Sequence, residues 1–540
     1  MQGLTMDYQL TLPALLKRAD ELFGSKEIVT RLPDKSLHRY TYADFAERSK
    51  KLGVALKNLG LEKSDRVATL AWNQYQHLEA YFGVPSAELV LHTINPRLAP
   101  QDIAYIIGHA EDKVLFVDET LIEVVNAFKD DVDLEHIYVY TSGDHSAPEG
   151  FTSYEDFIAG ADVSEFVYPE IDENDAAALC YTSGTTGRPK GALYSHRCLC
   201  IHSLLVALPD NFNFRESDSV LPVVPMFHVN AWGMPVTATM IGCKQVMPGP
   251  HLDPESLLEL FQDEEVTFTA GVPTIWLGIL QTLDKDPDKY DLSKLERMGV
   301  GGSAAPEAMI RAYEQRHRLK ILHAWGMTEM SPVGTASYMT SELRKEPEDV
   351  QFKYRAKQGI QLPFVEIRAQ GEDGLAPRDG KAMGELEVRG PIVASAYFNT
   401  EEGADKFTED GWFRTGDVVS ITPSGYVEIR DRDKDLVKSG GEWISSVDLE
   451  NTLMGHDAVA EAAVIAIPDE KWDERPLAVV VLKTGQSATP DELREHLAKD
   501  FAKWQLPEAY EFVDEIPRTA TGKFLKMALR EQFKGYEVKS

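Results

Sequence analysis

The chain has 540 residues, 43% hydrophobic and 26% charged, a length that gives about three to five packed units and a composition that excludes disorder as the main state. Asp and Glu outnumber Lys and Arg by 87 to 55, a net charge of −32. Such a surface repels phosphate backbones and anionic membranes, which speaks against nucleic-acid binding and polybasic membrane docking but leaves room for a local cationic pocket. The first residues, MQGLTMDYQLTLPALL, place Asp7 before any basic residue and contain no long apolar core, so no secretory signal is expected and a cytoplasmic location follows by default. Amphipathic helices are expected over residues 14–23 and 41–59. Short apolar runs at 66–72, 113–117, 136–140, 176–181 and 245–247 read as strands between helical patterns. This alternation gives an α/β fold with parallel sheets covered by helices. Residues 219–243 carry no Asp, Glu, Lys or Arg over 25 positions, but Pro222, Pro225, His228, Asn230, Gly233 and Pro235 interrupt them. A buried strand, loop and helix is expected there rather than a membrane span. The four cysteines, Cys180, Cys198, Cys200 and Cys243, are too sparse for a disulfide scaffold and read as buried small residues of a reducing cytoplasm.

After about residue 340 the pattern changes. Alternating runs at 365–368, 384–389, 411–415 and 425–430 are separated by Gly, Pro, Asn and Asp, the pattern of a small, mostly β unit. The run DRDKDLVK, residues 431–438, holds six charges and precedes a fresh α+β pattern. A domain boundary is expected there, dividing the chain into residues 1–433 and 434–540.

The segment YTSGTTGRPKG, residues 181–191, directly follows an apolar run. Its glycines permit sharp turns and close backbone approach, its hydroxyls add donors and Lys190 adds a positive charge, so it can hold a polyphosphate; it can equally be a flexible turn. It lacks the Gly-Lys-Ser/Thr run of a P-loop NTPase.

That segment resembles the signature of the acyl-adenylate-forming superfamily, which includes acyl-CoA synthetases, peptide-synthetase adenylation domains and beetle luciferases. Further resemblances follow in order: MFHVNAW (226–232), GGSAAP (301–306), HAWGMTE (323–329), WFRTGD (412–417), GYVEIRDRDKDLVKSGGEWIS (425–445) and PRTATGK (517–523), together covering the chain from about residue 20 to 530. Within the superfamily the chain looks most similar to bacterial medium-chain fatty acyl-CoA ligases and, among them, to the 3-methylmercaptopropionyl-CoA ligases of dimethylsulfoniopropionate breakdown.

The resemblance implies a large N-terminal domain of two parallel-type αβ layers plus a small β-barrel, followed by a small mobile α+β C-terminal domain. It implies a two-step ligase: carboxylic acid and ATP give acyl-AMP and pyrophosphate, then CoA gives acyl-CoA and AMP. The acid would be 3-(methylthio)propanoate or a short- or medium-chain fatty acid. Alternatives are a medium- or long-chain fatty acyl-CoA synthetase and, from another class, an adenylation enzyme loading a separate carrier protein. Among the roles implied, Lys523, Glu329, Thr328 and His228 are catalytic, and Thr185 and Glu329 hold Mg²⁺, which suits hard oxygen ligands. Thr182, Ser183, Thr185, Gly302, Ser303, Ala304, Ala324, Trp325, Gly326, Met327, Thr328, Asp417, Arg432 and Lys523 bind ATP or AMP. Trp325 stands where many relatives carry Tyr, offering a larger stacking face without a hydroxyl. The acid pocket falls to His228, Trp232, Gly302, Gly326, Met327 and Pro332, with Trp232 resembling an aromatic gate. Lys434 is the hinge. Lys438, Ser439, Gly440, Gly441, Glu442, Trp443 and Trp472 would face CoA, with Arg475 a weaker phosphate contact. A homodimer, joined by the N-terminal arm, is implied as well.

Overall fold

The computed structural model describes residues 1, 3–143, 146–182, 188–439, 442–469, 472–519 and 522–536. Two large, mainly parallel sheets carry the first two thirds of the chain. The seven-stranded one runs in the order Thr152–Ser153, His136–Tyr140, Asp112–Asp118, Arg66–Leu70, Val90–Thr93, Ala176–Tyr181, Gly191–Ser195. Buried on both faces, its inner strands read as nearly continuous apolar runs. Ala176–Tyr181 lies parallel to Val90–Thr93 and antiparallel to Gly191–Ser195, so the polyphosphate-type segment leaves the sheet as the connection between two neighbouring strands. Its base is closed by Thr182 N–H donating to the Lys190 carbonyl at 2.9 Å and Lys190 N–H donating to Thr182 Oγ1 at 3.1 Å.

The nine-stranded sheet contains the parallel neighbours Phe268–Gly271, Arg297–Val300 and Lys320–Gly326. GGSAAP and WGMTE both emerge at the C-terminal ends of these strands, the place where open α/β sheets bind ligands. Helices cover the sheets by their apolar stripes. Leu12–Phe23 begins at a Thr11 cap with Pro13 in its first turn and buries Leu12, Leu16 and Ala19. Tyr42–Asn58 starts with a reciprocal Thr41/Asp44 capping box.

The expected small β unit is a five-stranded antiparallel sheet, ordered Gly374–Leu375, Glu366–Gly371, Met383–Arg389, Phe413–Ile421, Val427–Arg432. Residues 433–436 connect it to a further sheet of Glu442–Ile444, Val437–Ser439, Asp473–Leu482 and Val459–Asp469, with Ala509–Phe512 parallel to Asp473–Leu482. Strand alternation gives this last sheet two cores. Val464 and Val480 pack with Leu449, Leu453, Leu493 and Leu497 on one side, and Ile465 and Val479 with Ile516 and Leu529 on the other.

The uncharged stretch holds the strand Ser219–Pro222, a tight turn, and the buried helix Met234–Ile241. Among the described residues no helix is long and apolar enough to cross a membrane. All four cysteines are unpaired, Cys198 half-buried and the others buried.

Candidate active site

A cavity of about 480 Å³ opens where the large sheets, the five-stranded sheet and the C-terminal segment meet. Among its lining residues are Thr182, His228, Trp232, Gly302, Ala324, Trp325, Gly326, Met327, Thr328, Glu329, Pro332, Arg432, Lys434 and Lys523. An adjoining space of about 210 Å³ adds Ser303, Ala304 and Asp417. The residues named above for ATP, acid and hinge thus converge from seven separate stretches of sequence. Ser183 and Thr185 lie outside the described residues.

Trp232 reaches the cavity through an unusual backbone. Val229, Asn230, Ala231, Trp232 and Gly233 all have positive φ, at 45, 51, 48, 56 and 74°. Each non-glycine residue in that left-handed region costs about 1 kcal/mol or more, so the surrounding packing holds the turn in place. Its product is an indole seated against glycines: a Cβ at Gly301 would lie 2.9 Å from Trp232 Cη2 and 2.8 Å from the Ala324 carbonyl oxygen. Beside it, burial and the nearby Lys523 ammonium push His228 down to about 3, leaving it neutral at working pH.

Glu329 is buried on the short turn Thr328–Met330. The Tyr397 hydroxyl donates to its Oε1 at 2.6 Å, and the Glu329 main-chain carbonyl accepts from Ala394 N–H at 2.7 Å. Tyr194 Oη donates to the Thr328 carbonyl at 2.6 Å, tying this turn to the strand Gly191–Ser195. Lys190, paired with Glu402 at 2.8 Å, sits over the Tyr397 ring. Tyr397 belongs to no motif and reaches Glu329 only through the fold, so no local signal in the sequence marks it.

On the five-stranded sheet Asp417 and Arg432 are direct cross-strand partners, and Arg432 Nε meets Asp417 Oδ1 at 2.6 Å. Trp325 Nε1 donates to Asp417 Oδ2 at 2.8 Å. The larger aromatic at this position therefore brings a polar handle of its own, beyond the stacking face expected of it.

Lys523 comes from near the C-terminal end on a turn tied by Thr519 N–H to the Lys523 carbonyl at 2.7 Å and Lys523 N–H to Thr519 Oγ1 at 3.1 Å. Gly522, at φ 85°, supplies the left-handed step that turn requires. Burial first, then Arg432, lowers the Lys523 ammonium to about 8, while Asp417 and Glu329 oppose the shift.

The residues expected to face CoA lie elsewhere. Lys438 and Trp443 pair across the hairpin of Val437–Ser439 and Glu442–Ile444, with Lys438 Nζ 4.5 Å from the Trp443 ring centre. Trp472 is 42% exposed beside the turn between the two long strands of the last sheet. Gly440, Gly441 and the Glu442 side chain lie outside the described residues. Ser439 is buried and accepts from Arg475 Nη1 at 3.0 Å. Arg475 is buried too, its guanidinium donating to the Trp504 and Leu506 carbonyls and paired with Glu508 at 3.3 Å, so its donors already have partners within the chain.

Residues 16–398 match the AMP-binding enzyme family and residues 448–523 the AMP-binding enzyme C-terminal domain. The chain is 51% identical to a long-chain-fatty-acid–CoA ligase of Thermus thermophilus, covering 98% of this chain and 97% of that one. It is 44% identical to a 3-methylmercaptopropionyl-CoA ligase of Ruegeria lacuscaerulensis, covering 99% of both. This chain belongs to the acyl-CoA ligases of the AMP-binding enzyme family. ATP and CoA are the co-substrates of such ligases, and the fold agrees: the structure of the anthranilate CoA ligase AuaEII in complex with anthranoyl-AMP matches at TM-score 0.88 and 25% identity, over 99% of both chains. The ATP-bound MatB structure from Rhodopseudomonas palustris matches this ligase at TM-score 0.84 and 27% identity, over 98% of this chain and 100% of that one.

Proposed function

We propose that the ligase activates an apolar monocarboxylic acid, 3-(methylthio)propanoate or a short- or medium-chain fatty acid, and that it does so with the residues gathered around Lys523. The observation that carries this is the convergence of Lys523, Glu329, Asp417, Arg432 and Trp232 on two adjoining cavities that share Lys523 and Arg432 in their linings. Among the described lining residues, Trp232, Gly301, Gly302, Met327 and Pro332 form an uncharged wall on the acid side, which suits a tail without a second carboxylate. The Thermus relative favours a second possibility, a longer-chain acid.

In the first half reaction the substrate carboxylate oxygen bonds to the α-phosphorus of ATP and pyrophosphate leaves. Both reactants are anions, so cations must stand where charge gathers. The Lys523 ammonium bridges the carboxylate and the α-phosphate, Thr328 donates toward that phosphate, and Asp417 accepts from the ribose. Glu329 and Thr185 would hold Mg²⁺. A single buried carboxylate with one oxygen steadied by Tyr397 fits an ion that arrives on the polyphosphate, since Mg²⁺ is usually bound by one or two carboxylates plus substrate phosphates. When bound, the ion spreads the charge of the transferring phosphate.

In the second half reaction the CoA thiolate attacks the acyl carbonyl and AMP departs. Lys438, Ser439 and Trp443 stand on the hairpin away from the cavity, so residues 434–540 would turn about Lys434 to bring that hairpin to the adenylate and withdraw Lys523. The N-terminal arm exposes Leu4, Met6 and Tyr8 on alternate positions, in keeping with a homodimer in which the arm crosses to a second copy. The four unpaired thiols suit a reducing cytoplasm.

Acid-dependent exchange between ATP and pyrophosphate, run over a panel of acids of rising length with and without CoA, tests this. Exchange should peak with short to medium apolar acids, and thioester should form on adding CoA. Exchange with none of them would refute the activity, a peak at long chains would refute the substrate, and thioester formed only on a carrier protein would refute CoA as acceptor.

A further inference from the structure

We propose that Trp325 is a positioning residue for ribose recognition, its indole N–H orienting the Asp417 carboxylate so that acceptor sites on both oxygens are left for the 2′- and 3′-hydroxyls of ATP. This rests on the ATP-binding role of Asp417 set out above and goes beyond it in assigning what fixes the carboxylate. The indole Nε1 lies 2.8 Å from Asp417 Oδ2, while Arg432 Nε lies 2.6 Å from Oδ1. Trp325 and Asp417 are only 6% and 2% exposed, so the hydrogen bond between them is shielded from solvent, whereas the Arg432 side chain is 43% exposed. The ring cannot swing away cheaply. It is packed with Met330 and Val333 in the core, and a Cβ on Gly334 would approach its Cζ3 to 2.9 Å. The strand that carries it has a register shift between Trp325 and Gly326, a local device for re-aiming a side chain.

An ionised carboxylate offers about four lone-pair sites, two per oxygen. The Trp325 N–H takes one on Oδ2 and Arg432 draws Oδ1 by charge at 2.6 Å, so both oxygens retain acceptor sites for the two neighbouring hydroxyls of a ribose. The terminal torsion of Asp is broad and roughly two-fold, so a carboxylate held on one oxygen alone would be free to rotate. The Trp325 hydrogen bond on Oδ2 and the Arg432 ion pair on Oδ1 together hold it. On this basis Trp325 contributes to discrimination between ATP and its deoxy analogues, which a wall that merely stacks on adenine would not do, because stacking is the same for both.

The test replaces Trp325 in the full chain in two ways: Trp325→Phe, and 3-benzothienylalanine at position 325, which keeps the bicyclic ring but has sulfur where the N–H stood. Acid-dependent pyrophosphate exchange is measured with ATP, 2′-deoxy-ATP and 3′-deoxy-ATP, together with KM for the acid. The expected result in the benzothienyl variant is a preference for ATP over each deoxy analogue reduced about tenfold, the loss typical of removing a donor to a charged acceptor, with KM for the acid within about twofold of the unaltered enzyme. Trp325→Phe should show the same fall in preference on top of a general loss from the smaller ring. An unchanged preference in the benzothienyl variant, whatever the absolute rate, overturns the inference alone. Absence of exchange in the unaltered protein with every acid would overturn the ATP reading and this inference with it.

Discussion

Replacing Tyr397 with Phe removes one hydroxyl and little else. The ring is wedged against Gly403, where a Cβ would meet Tyr397 Cε2 at 2.9 Å, and stands edge-on to Phe407 at 5.6 Å, so a phenyl group keeps its place. What disappears is the 2.6 Å hydrogen bond to Glu329 Oε1. Burial and the Glu329 charge raise the phenol far above its usual range, so it is a donor at every workable pH. A hydrogen bond to a charged group contributes about 1.5–3 kcal/mol, which at about 1.4 kcal/mol per decade is roughly 10- to 150-fold. Because Glu329 is the proposed metal carboxylate, that loss should appear as a higher Mg²⁺ requirement, in line with the roughly 10- to 100-fold effects of removing groups that orient metal ligands. The assay is pyrophosphate exchange at saturating acid, titrated with Mg²⁺. A midpoint raised at least about tenfold is expected of Tyr397→Phe. A midpoint within about twofold of the unaltered enzyme would refute the idea that this hydroxyl steadies a metal-binding carboxylate.

Other expectations follow from single contacts. The working form of Lys523 is the cation, and burial beside Arg432 lowers its deprotonation to about 8; kcat/KM for ATP, which reports the free enzyme, should therefore be level below that value and fall as pH rises through it. A profile flat to pH 10 would contradict this. Gly301→Ala places a methyl within 2.8 Å of the Ala324 carbonyl and 2.9 Å of the Trp232 ring, and should raise KM for the acid about tenfold or more with a smaller change in KM for ATP; an unaltered acid KM would remove Trp232 from the pocket wall. Ser446 donates its N–H and hydroxyl to Asp431 Oδ2 at 2.7 and 2.6 Å and accepts from Lys526 at 2.5 Å, joining the two sides of Lys434. Ser446→Ala should slow adenylation about fivefold while leaving thioester formation from supplied acyl-adenylate near normal, and equal effects on both would show that this contact does not favour one pose. Arg475→Ala should lower the melting temperature by several degrees, as expected when buried carbonyls lose their donors, yet leave KM for CoA within about twofold; a selective rise in that KM would restore Arg475 to the CoA site.

Most of the framework was legible in the sequence because it rests on periodicity. The apolar runs at 136–140 and 176–181 coincide with the strands His136–Tyr140 and Ala176–Tyr181, since a strand buried on both faces must be apolar along its length. The uncharged residues 219–243 divided as their prolines and glycines indicated. The left-handed turn before Gly233 was not legible: Asn230 alone tolerates positive φ, while Val229, Ala231 and Trp232 have no local preference for it, and packing imposes it. Tyr397 and the Trp325–Asp417 hydrogen bond escaped for a different reason. They join residues 68 and 92 positions apart, and nothing in either local sequence signals the other. Arg475 shows the converse, a charge that reads as a surface or phosphate-binding group and whose partners in the fold are the Trp504 and Leu506 carbonyls, Ser439 and Glu508.

The two half reactions separate most directly at Lys523. With Lys523→Ala, adenylation measured by acid-dependent pyrophosphate exchange should fall by about a hundredfold or more, as expected for loss of a charge aimed at the transition state. Thioester formation from supplied acyl-adenylate and CoA should stay within about twofold of the unaltered enzyme. Equal loss of both activities, or no loss of exchange, would contradict the assignment of Lys523 to the first step and the turning of residues 434–540 between the two.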